Sequence, residues 1–495
     1  METSKNEHFA TEEKEDHVFT EDVSTLAQRQ LNAIDNDKRT KICRRFDMRL
    51  LPLATAAYLV AFIDRSNSGN ARILGMAADL ELTGNRFNIA MSAFYVTYIL
   101  LEIPANLCCK KFGPRIWISS LVLSFGLISM CIGFCTGYAS FIALRVLLGA
   151  AEAGIMPGLS YMLCCFYRRH ELATRIGIYA SCTSLSGAFG GLLATGLSKI
   201  PSWGMMHTWR NIFFFEGIIT MIVGGLVYLY LPDSPAVSNF LTPDERQEAT
   251  RIIELETLSS GPSTTIEWRH VKRAFNMANF LLVTANISSL LTVTSMSLFV
   301  PSILNAMGFS SIRSQLMSVP AYAVATIVCI TLMTMSDRIK HRGLMLLSLY
   351  PIGIVGFGLL IGVHSPVGVR YFAVYLAMIP AFTAASTIMA WAIDNSAGPT
   401  VRAVSSAIMA GVGNFGGIIA TWTYMTKDAP KYITGHAINL GGYVMAFICV
   451  LIAVLYLNWE NKMRRQGKRD HRLKDATQEM IEDLGHRHPA FVFTL

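Results

Sequence analysis

Four ionisable residues stand where long apolar runs should exclude them. Asp64 and Arg65 lie in YLVAFIDRSNSGNA, and Arg145 and Glu152 lie in RVLLGAAEAGIMPG. A charged side chain at a bilayer centre costs on the order of 3 kcal/mol even on lenient insertion scales, so each needs a reason to persist. Carboxyl and guanidinium groups held away from water offer two kinds of chemistry. A carboxyl can take up and release a proton as its neighbours change, and a guanidinium can grip a carboxylate through two parallel hydrogen bonds. Asp64 and Glu152 are thus candidates for proton exchange, and Arg65 and Arg145 for holding an anion.

Spacing constrains who can meet whom. Arg145 and Glu152 are seven apart, about two helical turns, so they share one face with a rise of ~10.5 Å. Gly149 between them, and Gly413 in GVGNFGGIIA, allow a neighbouring backbone to come close, as moving helices require. Asp64 and Arg65 are chain neighbours that point ~100° apart, so they serve different partners. Either Asp64 approaches Arg145, or Arg65 approaches Glu152. The competing reading is static ion pairs that lock helices, and it is the expectation for Glu102 in LLEIPAN and Glu216 in WRNIFFFEG. Tyr95, Tyr98, Phe189, Phe382 and Trp391 are the apolar and aromatic neighbours expected around a bound ligand. Pro157, Pro320 and Pro380 are expected to bend or break helices.

Other chemistry is missing. There is no HExxH, nucleophile elbow or phosphate-binding Walker loop. His17 and Asp22 have an acyltransferase-like spacing but fall in an acidic tail. The ten cysteines lie mostly inside apolar runs without a CxxC pair, which suits packing. No catalytic residue, metal or cofactor is expected.

The elements that must position these charges follow from composition. The chain has 495 residues, 52% hydrophobic and 15% charged. Of its 76 charged residues, 46 fall in 1–49, 232–275 and 459–495, leaving 30 in the other 365 positions. The low-charge parts break into apolar stretches of about 20 residues, the length a helix needs to cross a bilayer. This excludes a soluble enzyme and predicts an all-α polytopic membrane protein with twelve transmembrane helices. The first six spans are expected near 50–70, 87–107, 116–137, 139–166, 173–198 and 211–231. The second six are expected near 279–304, 315–336, 343–363, 369–392, 401–424 and 437–458. The implied organisation is a disordered tail (1–49), two six-helix halves (50–231 and 279–458), a central loop (232–278) and a C-terminal tail (459–495).

Met1–Asp22 is too polar for a signal peptide. Lys and Arg crowd the ends that would share one side, such as Lys38–Arg49, Lys110–Arg115, Arg168–Arg175, Arg338–Arg342 and Lys462–Arg469. That bias puts the tails and the central loop in the cytoplasm. The net charge of +8 comes from these span ends and is no sign of nucleic-acid binding.

Several longer segments carry a family resemblance. They are YLVAFIDRSNSGNA, EIPANLCCKKFGPRIWI, RVLLGAAEAGIMPGLSYMLCCFYRRHELATRIG, WRNIFFFEG, LPDSP, WAIDNSAGPTVRAV, GNFGG and YMTKDAPKYITGH. In this order, from about Arg45 onward, the chain resembles fungal members of the major facilitator superfamily. It is most similar to the anion:cation symporter branch and its allantoate permease family, whose members also carry nicotinate, pantothenate and biotin. The resemblance implies alternating access and uptake of an organic anion with protons, through Asp64, Arg65, Arg145 and Glu152. It adds Asn414 of GNFGG, with Trp391, to the substrate-binding residues, and Asp337 and Arg338 to Gly149 and Gly413 as gating residues. Departures are the missing Asp in NLCCKKFGPR, Val401 where many members have Lys, and Val492 where an Arg is common.

The expected function is a monomeric, proton-coupled carrier of a small organic anion in the plasma membrane. Export of a metabolite and a non-transporting nutrient sensor are the alternatives.

Overall fold

The computed structural model describes residues 36–259, 268–339, 341–397, 399–473 and 484–495. Among these the secondary structure is helical except for one isolated bridge, Trp203–Met206. Twelve helices are long and apolar enough to cross a membrane. The first six are α1 (Asp37–Asp79), α2 (Arg86–Phe112), α3 (Pro114–Ile132), α4 (Tyr138–Cys164), α5 (Arg175–Leu197) and α6 (Thr208–Tyr230). The second six are α7 (Met277–Ala306), α8 (Ser311–Ser336), α9 (Arg342–Gly362), α10 (Val367–Asp394), α11 (Val404–Thr421) and α12 (Ile433–Arg465). An even number of crossings puts the start of α1 and the end of α12 on one side of the bundle, here the terminal side. The opposite side is the far side.

Several spans are interrupted beside polar residues. Within α4 a first helical segment stops at Glu152, and a new helix starts at Ile155. Pro157 in the first turn of that new helix cannot continue the earlier hydrogen-bond ladder. A π-helical turn, Arg72–Met76, interrupts α1. The α11 helix is broken at Asn414, between Pro399–Gly413 and Phe415–Thr421. Pro320 and Pro380, by contrast, lie inside continuous helices.

Close packing brings α4 onto α2. A Cβ on Gly149 would meet the Phe94 carbonyl and the Thr97 hydroxyl, so only glycine fits. Gly149→Ala should therefore push the helices apart and cost about 1–3 kcal/mol, the usual penalty of overpacking. A lowered unfolding temperature of the detergent-purified protein checks this; an unchanged one would mean the interface yields.

The two halves join at the far side. Asn88 of α2 donates to the Thr421 carbonyl of α11, and Thr195 of α5 bonds Gln315 of α8 at 3.1 Å. Arg72 reaches Thr426 beyond α11 at 2.9 Å.

The start of the described chain departs from the expected disordered tail, and its end is also packed on the helices. The α1 helix begins well ahead of the first apolar run because its polar start finds partners. Arg39 pairs with Glu171 at 2.6 Å, Arg175 with Asp47 at 2.7 Å, and Arg45 with Glu245 of the loop helix Pro243–Ser259 at 2.5 Å. Phe46 is fully buried among Phe166, Tyr167 and Phe240. The acidic residues 1–35, His17 and Asp22 among them, lie outside the described residues.

At the other end, residues 486–495 strap the terminal side of the second half. Arg464 donates to the carbonyls of His486, His488 and Phe491. Asn461 and Phe493 exchange two bonds of 2.9 Å each. His486 is buried here, and burial first, then the charges of Arg487, Arg464, Arg273 and Arg472, pushes its imidazole down to about 4 from 6.5. The docked strap thus holds a neutral ring, while a released strap would take up a proton near pH 6.5. Docking should weaken as the pH falls from 6.5 toward 4, the sign for a histidine whose folded value is depressed. Hydrogen exchange at 486–495, corrected for intrinsic rates, should rise between pH 7 and 5, and His486→Phe should flatten that rise. Unchanged protection in the native protein down to pH 5 would contradict it.

Candidate functional site: a buried charge cluster

The α1, α2, α3, α4 and α6 helices enclose the four charges singled out from the sequence. Arg65 and Glu152 form an ion pair, Nε to Oε2 at 2.7 Å. The Glu152 side chain is fully buried and that of Arg65 is 14% exposed. Three rings cage the guanidinium: Phe62 and Tyr98 with centroids at 4.7 Å, and Phe94 at 5.3 Å. Such contacts steady a desolvated cation without neutralising it. The second Glu152 oxygen, Oε1, is buried without a hydrogen-bond partner among the described residues.

Asp64 and Arg145 are brought into the same region but are held by hydroxyls rather than by each other. The Ser129 hydroxyl of α3 donates to Asp64 Oδ1, and Arg145 Nη2 donates to the Ser68 hydroxyl of α1. Arg145 is 2% exposed, with the Phe141 and Phe213 rings at 5.2 and 5.7 Å. It is enclosed within the first half, so Arg65 is the more accessible cation. A spare bonding position remains on each: Asp64 Oδ2 and Arg145 Nε have no partner among the described residues.

The remaining candidates scatter. Asn414, at the break in α11, donates to Glu102 Oε2 at 3.4 Å across the two halves. Glu102 is thus held by an amide and not by the ion pair expected of it. Glu216 departs further: it is 4% exposed, and neither carboxyl oxygen has a partner among the described residues. Trp391 is not brought to the cluster. Its indole donates to the Thr494 carbonyl at 2.8 Å, inside the C-terminal strap. Gly413 lies against Asn286, whose Nδ2 would be 2.6 Å from a Cβ there. Arg338 is exposed, and the Asp337 side chain lies outside the described residues. Tyr95 and Tyr98 are buried on α2, and Tyr98 joins the Arg65 cage. Phe382 packs on Tyr322 with ring centroids 5.7 Å apart, and Phe189 is 49% exposed on the outside of α5.

Sequence reasoning missed Ser68, Ser129 and the cage rings Phe62 and Phe94. Ser68 sits one turn beyond Asp64 and Arg65, the one signal that could have found it. Asp233 of LPDSP was missed too. It accepts from the Arg115 backbone at 3.0 Å, which places an acid at the α2–α3 loop whose own acid is absent.

Chemically, the cluster is a carboxyl that can trade its cation for a proton, beside a guanidinium that can trade its carboxyl for another anion. The sequence pattern of the Major Facilitator Superfamily matches residues 54–421. The chain belongs to this superfamily. Among its superfamily relatives, an uncharacterized transporter of Schizosaccharomyces pombe is 33% identical over 92% of this chain and 91% of its own length. The high-affinity nicotinic acid transporter of Saccharomyces cerevisiae is 31% identical, covering 86% of this chain and 79% of its own. Among solved structures, a bacterial homolog of the human lysosomal transporter Spinster, inward-facing and unoccupied, aligns with a TM-score of 0.62 at 15% identity. That match covers 85% of this chain and 97% of the other. The D-xylose-proton symporter aligns with a TM-score of 0.62 at 12% identity, over 81% and 96%. The chain is therefore a multi-pass membrane transporter of the superfamily fold, and not an enzyme.

Proposed function

We propose that this transporter carries a small organic anion together with protons, by alternating access and in the direction of uptake. The observation that carries this reading is the Arg65–Glu152 pair at 2.7 Å, caged by rings and buried on its acidic side. When Glu152 takes up a proton, it releases Arg65, and the freed guanidinium accepts a substrate carboxylate. When the substrate leaves, Arg65 recaptures Glu152 and the proton departs. Asp64 is a second proton-exchanging group, adjusted by Arg145 behind it, and Asn414 reports the state of Glu102 across the halves. The joined far side supports a conformation in which the cluster communicates with the terminal side, taken here as cytoplasmic from the Lys and Arg bias.

The likeness to a nicotinic acid transporter supports a ring-bearing carboxylate as the substrate. The same proposal places the chain in the allantoate permease branch, as a monomer in the plasma membrane. A host lacking its own carriers, supplied with a panel of vitamins, ureides and organic acids, provides the test. Growth should return on at least one carboxylate, and uptake of that compound should accelerate at low external pH. Rescue only by uncharged compounds, or uptake indifferent to pH, would overturn the reading.

A further inference from the structure

A second cationic site lies far from the central cluster. On the far side of the second half, a cavity of about 210 Å³ opens between the ends of α7, α9, α10 and α12. Ala306, Leu360 and Ile433 supply its apolar walls, and His364, Arg370 and Lys431 supply its polar ones. No acidic residue lines it, and Asp428 in the same α11–α12 connection is not among its walls. Among the described residues none of the three basic side chains makes an ion pair. Among the described residues Arg370 Nε is buried without a hydrogen-bond partner. His364 and Lys431 are exposed and Arg370 is half-buried, so water screens the repulsion among them. The cost left standing is the buried, unpartnered Arg370 Nε, and it falls when an anion binds there.

We infer that this cavity is an anion site that takes one small oxyanion, a carboxylate or a phosphate group, between Arg370 and Lys431. The volume is below the range of pockets that enclose drug-sized ligands, so it suits a single head group. The ligand is either a free anion or the phosphate of an anionic lipid. Its position gives it a consequence. The connection that supplies Pro430 and Lys431 also carries Thr426, which accepts from Arg72 of the other half at 2.9 Å. An anion held there therefore touches the segment that ties the two halves together. The site stands whether or not Arg65 binds the transported anion.

The test uses the full-length protein in nanodiscs and the double variant Arg370→Gln with Lys431→Gln. In phosphatidylcholine discs, inorganic phosphate should raise the melting temperature of the native protein, and the double variant should need at least tenfold more phosphate for the same rise. In discs doped with phosphatidylglycerol, native mass spectrometry should show the double variant retaining fewer copies of that lipid. Loss of the phosphate response identifies a free anion, and loss of lipid retention alone identifies the head group. Lys431→Glu should weaken the same signal further, and the ligand-free melting temperature of each variant reports its folding. Equal phosphate response and equal lipid retention in native protein and variants, including no binding by any of them, would overturn the site.

Discussion

Arg65→Ala should abolish anion binding, lowering affinity for the transported carboxylate roughly 100-fold or more. Removing one partner of a buried, hydrogen-bonded charge pair costs 2–5 kcal/mol or about that, which spans this change. The same substitution leaves Glu152, fully buried, without its cation, and that costs the fold about 3–5 kcal/mol. Lost binding could then be mistaken for lost structure. Arg65→Ala combined with Glu152→Gln separates the two, because it removes both charges. Folding should largely return in the double variant while binding stays absent. Arg65→Lys should fold well, keep its place among Phe62, Phe94 and Tyr98, and bind weakly, since an ammonium lacks the planar fork that holds a carboxylate at two points. Binding restored in the double variant, measured on purified protein, would make the pair a helix lock and nothing more.

Glu152→Gln is expected to split transport into its parts. A neutral glutamine leaves Arg65 permanently free, so the variant should bind substrate at all pH values and exchange labelled for unlabelled substrate across the membrane. Accumulation driven by a proton gradient should fall at least tenfold, because the group proposed to link substrate to proton is gone. Asp64→Asn should do less, since Asp64 is held by the Ser129 hydroxyl and not by the accessible cation. Full pH-dependent accumulation in Glu152→Gln would assign Glu152 a purely structural role.

The sequence made some of this legible and hid the rest for identifiable reasons. Twelve spans could be counted because a bilayer imposes one length on every apolar helix. The Arg65–Glu152 alternative could be named because adjacency sends Asp64 and Arg65 to different faces, and one of them had to meet α4. That Asp64 and Arg145 would not pair directly could not be read. Their partners are Ser129 and Ser68, and a serine in an apolar helix reads first as a residue that bonds its own backbone. Trp391 was misplaced because its apolar neighbours suit a ligand cavity as well as a strap, and its partner Thr494 lies 103 residues away. The early start of α1 was hidden in the same way, since Arg39 finds Glu171 only after 132 residues. Glu216 has no such remedy: its two oxygens, without partners among the described residues, have no counterpart in any local pattern.

The most direct measurement follows protons and substrate together. Native protein and Glu152→Gln are reconstituted in liposomes containing a pH-sensitive dye and a little of the unlabelled carboxylate that restores growth, and an excess of the labelled carboxylate is added outside without an imposed pH gradient. The native protein should carry protons inward with the carboxylate, acidifying the lumen in step with uptake, and Glu152→Gln should exchange the carboxylate while the lumen pH stays flat. Uptake by the native protein without proton movement, or proton-linked uptake preserved in Glu152→Gln, would contradict coupling through the Arg65–Glu152 pair.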